Sequence, residues 1–313
     1  MRVPNTVRWG LGLAFATALI SGFSVFLNGQ FIKLFHDPTL LAAVRNGSVG
    51  LVLLGIAIAN GGLGELARLG WRQRLGLVAI GVVGGGVSFA LFFNGLAASS
   101  SPAAAIIHKT LFIWVAALAI PLLGERVGAL QVASLGLLLA GTLVLAPAGS
   151  IGTGVGELLV VAATLLWSLE VVVAKRLLRG GVPVSLVAAS RMAIGAVALF
   201  SIVGATGDAS AVLAFTAQQW FAIAVTGALL AGYVLTWFGA LRRAPATSVT
   251  SILVLGAVVT TILQSWSTGG LPAPAAALGN VLLLAGGAVA VAAAWLAGGG
   301  LRPMSGERIT VGA

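Results

Sequence analysis

Ser99 to Arg126 reads SSSPAAAIIHKTLFIWVAALAIPLLGER. The spacing predicts one membrane-spanning helix that carries a histidine and a lysine within it. Ser101 is placed to cap its start, with Pro102 at the first helical position, where a missing N–H costs nothing. Gly124-Glu125-Arg126 ends it. The intervening residues are nearly all apolar, His108, Lys109 and Thr110 excepted. A lysine inside hydrocarbon costs roughly 2.5–3.5 kcal/mol on insertion scales, so it rarely faces lipid. Lys109 lies ~10 Å along the helix from Pro102, at 1.5 Å per residue. That depth favours a polar cavity over a side chain that snorkels to the headgroups or forms a structural ion pair.

The remaining sequence is of the same kind. Of 313 residues, 59% are hydrophobic and 8% charged, and the mean hydropathy is +1.11. Such a composition belongs to an integral membrane protein. Apolar runs long enough to cross a ~30 Å hydrocarbon core fall near 9–33, 39–59, 75–97, 102–123, 127–146, 155–178, 184–205, 217–241, 245–267 and 274–297. We number them spans 1 to 10. The fold class expected is therefore all-α integral membrane, with about ten transmembrane helices. The connections are short; Asn60–Arg74 and Gly204–Gln218 have room for a turn or an interfacial helix. The tail from 299 to 313 reads as flexible.

The net charge of +10 does not indicate a nucleic-acid partner, because the basic residues sit at span ends. Arg2, Arg8, Arg68, Arg72, Arg74, Arg126, Lys175, Arg176, Arg179, Arg242, Arg243, Arg302 and Arg308 all fall on the side of the amino terminus. Only Lys33 borders the other side. The positive-inside rule then puts both termini in the cytoplasm of a cell whose inner membrane holds the chain. The first apolar run is too long for a cleavable signal. Cysteine is absent and His36 and His108 are far apart, so neither a disulfide nor a metal site is expected. No cofactor is implied, and no H-E-x-x-H, G-x-x-x-x-G-K or G-x-S-x-G motif points to an enzyme.

The halves echo one another at an offset of about 145 residues. Pro38-Thr-Leu-Leu-Ala-Ala-Val-Arg45 recurs as Pro183-Val-Ser-Leu-Val-Ala-Ala-Ser-Arg191, and Phe93-Asn-Gly-Leu96 as Phe238-Gly-Ala-Leu241. Pro102 matches Pro245, and Leu137-Leu-Leu-Ala-Gly141 matches Leu282-Leu-Leu-Ala-Gly286. Five spans per copy invert the second, an arrangement common in secondary transporters with a site near the midplane. Residues 1–150 form the first copy and 151–298 the second. Arg45 and Arg191 are symmetry mates entering spans 2 and 7 from opposite faces. Anchoring at an interface and a gating or substrate role both remain open for them.

With this duplication, the proline-plus-arginine second span and Pro121-Leu-Leu-Gly-Glu125-Arg-Val, the chain resembles the ten-span EamA-type exporters of the drug/metabolite transporter superfamily. The resemblance covers residues 9–298. It implies a secondary transporter in which spans 3, 4, 8 and 9 surround a central cavity exposed alternately to either side. Counting from Pro245 as from Pro102, the second copy has Thr268 where the first has Glu125. Glu125 therefore reads as local architecture, capping span 5.

Buried polar and aromatic residues are the remaining candidates for the site. For substrate binding these are His108, Lys109, Phe112, Asn94, Trp167, Tyr233, Trp237 and Ser251; for coupling or gating, Glu170, Arg45 and Arg191. Lys109 suits a carboxylate or phosphate, and Phe112, Tyr233 and Trp237 an apolar wall. Glu170 is deep enough to need a partner, Arg191 by depth, or to carry protons. The leading expectation is export of amino acids or related zwitterionic or anionic metabolites. Proton-coupled multidrug or cation efflux through Glu170 is the second reading, and a non-transporting lipid-handling or scaffold protein the third. The partners implied are a small-molecule substrate and the bilayer, with monomer and homodimer both open.

Overall fold

A computed structural model describes residues 5–99, 101–146, 154–207, 209–271 and 273–298. The side chains of Ser101, Pro102 and Ala105 are outside the description, and with them the expected cap at Ser101; so are the loop at 147–153 and the 299–313 tail. Among the described residues all regular structure is helical. Nine helical stretches are long and apolar enough to span a membrane, and Ala129–Val144 is a shorter apolar helix.

Span 1 is α1 (Asn5–Phe31) and span 2 is α2 (Pro38–Ala59). Asp37 starts α2 by accepting hydrogen bonds from the Thr39 and Leu40 amides at 2.7 and 3.1 Å, the usual remedy for unpaired N–H groups at a helix start. The short helix α3 (Gly62–Arg68) fills the first long connection. Span 3 is α4 (Trp71–Ala79), a π-helical segment (Ile80–Val87) and α5 (Ser88–Ala98). Span 4 is α6 (Ser101–Lys109) and α7 (Leu111–Leu123), span 5 is α8 (Ala129–Val144), span 6 is α9 (Val155–Arg179) and span 7 is α10 (Val184–Thr206). A 3-10 turn, Ala209–Ala214, precedes span 8, α11 (Ala217–Arg243). Span 9 is α12 (Ala246–Leu253) and α13 (Gly256–Ser267), and span 10 is α14 (Pro274–Gly298).

One expectation is corrected at once: the opening stretch is not one unbroken helix. It breaks at Thr110, whose hydroxyl donates to the Ile107 carbonyl at 2.7 Å. Span 9 breaks at the equivalent place, Val254–Leu255. A hydroxyl that bonds its own preceding turn competes with the helical ladder. Val254–Leu255 has no such hydroxyl, so the shared break follows the duplicated architecture rather than one residue.

The duplication shows in the packing. The repeated Leu-Leu-Leu-Ala-Gly segments lie against each other, with Gly141 facing Leu283 and Gly286 facing Leu138. Small residues let helices approach closely where lipid supplies no hydrophobic drive. Spans 2 and 7 pack together in the same way through Gly50 against Met192 and Ala193. Span 1 docks against spans 8 and 9, and reciprocally span 6 docks against spans 3 and 4. Each half's first span thus completes the other half, and one apolar core runs through both.

Candidate functional site

A cavity of about 150 Å³ lies between the middle of the bundle and the end where α1 finishes. Its lining comes from spans 1, 2, 3, 4, 6, 7 and 8. Span 9, expected to contribute, has no residue in this lining among the described residues; its Thr250, Leu253 and Val254 border a small adjoining cavity with Ser21, His108 and Leu111. The reason is the exchange of first spans, which brings span 1 (Ser21, Ser24, Asn28) and span 6 (Trp167, Glu170, Val171) to the centre.

The cavity is built on the π-helical turn of span 3. A π segment loosens the usual ladder and commonly marks functional positions. Here the Gly84 carbonyl accepts from Trp167 Nε1 at 2.9 Å, and the Gly85 carbonyl accepts from Asn46 Nδ2 at 3.2 Å. Glycine is required at Gly85, where the neighbour is backbone, and gives close contact with a side chain at Gly84. A methyl group on Gly84 would collide with the Glu170 carboxyl, and one on Gly85 with the Arg191 carbonyl. Gly81, which with Gly85 forms a small-residue pair, faces Ile194 and Ser190 of span 7.

Glu170 and Arg191 form a buried ion pair, with Arg191 Nε donating to Glu170 Oε1 at 2.7 Å. Arg191 also lies over the Phe89 ring at 5.4 Å. Arg45 reaches the same ring from the other side of the repeat, at 5.6 Å, and sits 5.3 Å from the Phe93 centroid. Its Nη1 donates to Asn28 Oδ1 at 3.2 Å. Both arginines are buried and line the cavity. Two helices entering from opposite faces carry their arginines to one level. Two guanidinium groups and one carboxylate leave the cavity wall with a formal charge of +1.

Aromatic rings form the rest of the wall. His108 stacks edge-on against Trp167 at 4.9 Å and Phe92 at 5.2 Å, and Phe89 meets Trp167 at 5.3 Å. Tyr233 and Trp237 stack at 6.0 Å. Arg45 Nε and His108 Nδ1 are buried polar atoms with no hydrogen-bond partner, an uncommon condition in a protein interior.

Of the residues singled out from sequence, the cavity collects His108, Trp167, Tyr233, Trp237, Glu170, Arg45 and Arg191. Four lie elsewhere. Lys109 borders a second cavity, because adjacent helical residues point ~100° apart. Phe112 is packed in the core. Asn94 donates to Thr39 Oγ1 at 2.9 Å and to the Ala90 carbonyl at 2.8 Å. Ser251 accepts from Gln131 Nε2 at 3.2 Å. Sequence reading missed Phe89, Phe92, Thr226 and the hydroxyls of span 1. Nothing in their local pattern separates them from ordinary packing residues.

The end of the bundle where span 4 finishes is tied by polar contacts, beside a cavity of about 350 Å³ lined by Arg126, Gln131, Thr247 and Ser248. Gly124, in the left-handed conformation (φ 65°), ends the helix as glycine does readily and turns Glu125 inward. Glu125 accepts from the amides of Ala246 and Thr247 at 2.7 and 3.0 Å and from the Thr247 hydroxyl at 3.0 Å. It therefore caps span 9 of the other half, not span 5 as its position in sequence suggested. Arg179 lies 3.5 Å from Glu125 and donates to the Leu123 carbonyl at 2.7 Å; Arg176 donates to Leu122 at 2.8 Å. The Lys175 ammonium is buried and donates to the carbonyls of Leu241 and Ala244. Span 6 so ties together the ends of spans 4 and 8, and Glu125 holds span 9. At the opposite end Gly269 (φ 72°) is the counterpart of Gly124. This makes Gly270, not Thr268, the counterpart of Glu125, and no carboxylate stands there.

The model of the EamA-like transporter family matches this sequence twice, over residues 8–146 and 154–292. The chain belongs to the EamA-like transporter family. It is accordingly a multi-pass membrane transporter of the drug/metabolite type. No curated protein sequence matches it. One solved crystal structure shares this fold: it superposes with a TM-score of 0.75 at 22% identity, covering 91% of this chain and 97% of its own. In this EamA-like transporter the seam at 147–153 between the two matched copies joins span 5 to span 6.

Proposed function

We propose that this transporter exports small metabolites bearing a carboxylate, amino acids or related zwitterionic and anionic compounds, by alternating access through the central cavity. The observation that carries the reading is the pair of unpartnered buried atoms, Arg45 Nε and His108 Nδ1, in a cavity of formal charge +1. A carboxylate is the natural partner for a guanidinium because its two oxygens match the planar donors. Phe92, Trp167 and Trp237 supply an apolar surface for the rest of the solute. About 150 Å³ suits a small molecule, since an engineered apolar cavity of roughly that volume holds benzene. Efflux of lipophilic cations is less well supported, because Glu170 is already engaged by Arg191.

The basic span ends support a reading in which both termini lie in the cytoplasm and the chain sits in a bacterial inner membrane. The end closed by Glu125, Lys175 and Arg179 is then the inner gate, and the cavity lies on the outer side of it. In this reading Glu170 couples transport to protons. Substrate carboxylate and Glu170 compete for Arg191, and a proton on Glu170 releases the guanidinium to the substrate.

Counterflow in proteoliposomes across a metabolite panel tests the substrate class. Arg45→Met is expected to lower uptake of carboxylate substrates at least tenfold, the equivalent of about 1.4 kcal/mol. Undiminished uptake would remove Arg45 from the site. For Glu170→Gln, transport should persist in part but no longer respond to an imposed pH gradient. An unchanged response would reject proton coupling at this residue.

A further inference from the structure

A second cavity, about 340 Å³, lies between spans 1, 4, 5 and 9. Val25 borders both this cavity and the central one, and a small cavity of about 20 Å³ lined by Ser21, His108, Lys109 and Leu111 lies between them. The partition is span 4 beside its break at Thr110, with His108 on the central side and Lys109 on the other. Among the described residues Lys109 is the one charged residue of this second lining, and Gln264 and Ser265 line it from the last turns of span 9. Ile106, Leu145 and Ala257 make up apolar wall.

The Lys109 ammonium is unusual in having no hydrogen bond or ion pair among the described residues. The ion pairs there are Glu65–Arg68, Glu125–Arg179 and Glu170–Arg191. The other described carboxylates are remote from it: Asp37 caps span 2 and Glu157 lies in the first turn of span 6. The side-chain amide of Gln264, which is exposed, and the hydroxyl of Ser265, which is half-buried, make no hydrogen bond among the described residues. A cation within a membrane segment pairs with another group or lines a polar cavity. Here three unpartnered polar groups converge on one cavity with apolar walls.

We propose that this cavity is a second binding site, distinct from the central one, for the anionic group of a small or amphiphilic molecule, a carboxylate or a phosphate ester. Lys109 pairs with the charge, and Gln264 and Ser265 donate hydrogen bonds to it from the mouth. The apolar wall accommodates a hydrocarbon portion. The same chemistry is offered by an anionic lipid headgroup and by a soluble carboxylate. The site stands independently of the carboxylate reading of the central cavity, since the two share no charged residue.

The test is thermal unfolding of the full chain in dodecyl maltoside. The probes are dioleoylphosphatidylglycerol, with dioleoylphosphatidylcholine as the neutral control, and sodium propionate, with equal sodium chloride as the control. One or both anionic probes should raise Tm saturably by about 5 °C at hundredfold excess over Kd. The rise should vanish in Lys109→Met and persist in Lys109→Arg. Gln264→Leu should weaken apparent affinity about tenfold. A response to phosphatidylglycerol alone identifies the lipid headgroup as the ligand, and a response to propionate identifies a soluble anion. No response to either probe, or an equal response in Lys109→Met, overturns the proposal. Should Lys109→Met fail to fold, the double variant Gln264→Leu, Ser265→Ala decides by the same measurement, and an undiminished response in it overturns the proposal.

Discussion

Arg191→Met is expected to destabilise the protein by about 3–5 kcal/mol, because it leaves Glu170 charged and buried without its partner. The pair is short, 2.7 Å, and both side chains are almost wholly enclosed. Phe89 also loses the cation above its ring, which adds to the cost. The double variant Glu170→Gln, Arg191→Met should regain most of the loss, since it removes both desolvated charges together. Equilibrium unfolding in mixed detergent micelles would measure all three variants as a cycle. A single Arg191→Met variant within about 1 kcal/mol of wild type would show that the pair is not what holds spans 6 and 7 in register. Transport should be lost more completely than stability in the double variant. The cavity survives in it, but its charge pattern does not.

The second large effect concerns the closed end. Glu125→Ala removes the acceptor for two backbone amides and a hydroxyl at the start of span 9. Hydrogen bonds to a charged group contribute about 1.5–3 kcal/mol each, and an orphaned buried donor is costly. Loss of even part of this would shift the balance between closed and open by more than tenfold, since 1.4 kcal/mol is a factor of ten. The absence of cysteine from the chain makes accessibility easy to read. Ser248→Cys, a position that is buried beside Thr247, should react slowly with a water-soluble maleimide. The same cysteine should react at least tenfold faster when combined with Glu125→Ala. Equal rates would mean that Glu125 does not hold this end shut. The opposite end has Gly270 at the matching place, with no carboxylate to make the same contacts.

The outcome for individual residues explains which features were legible early. Span ends were predictable to within a few residues because hydrocarbon thickness and charge both act along the chain. Span 6, expected at 155–178, runs Val155–Arg179. The pairing of Glu170 with Arg191 was also accessible, since depth in a membrane is a one-dimensional coordinate that two helices share. Lys109 was different. Its depth and its lack of a local partner were both visible, but the direction in which it points depends on how span 4 is rotated. A rotation by one residue exchanges His108 for Lys109 on the central cavity. The break at Thr110, which helps set that rotation, leaves no pattern in hydropathy.

By itself, the sequence of this EamA-like transporter determined what apolar content and repetition carry directly: about ten apolar spans, the duplication, and which polar groups lie within spans. Only the tertiary structure decided which helices meet. It exchanged the first spans between halves, carried Glu125 to the start of span 9, and brought Arg45 and Arg191 to one ring. Ser99–Arg126 is the clearest case, since His108 lines the central cavity and Lys109 the second one, with a small cavity bordered by both between them. The physical reason is that insertion depends on each segment's own apolar content. Helix association in lipid depends instead on close packing of glycines and on polar partners distant in sequence.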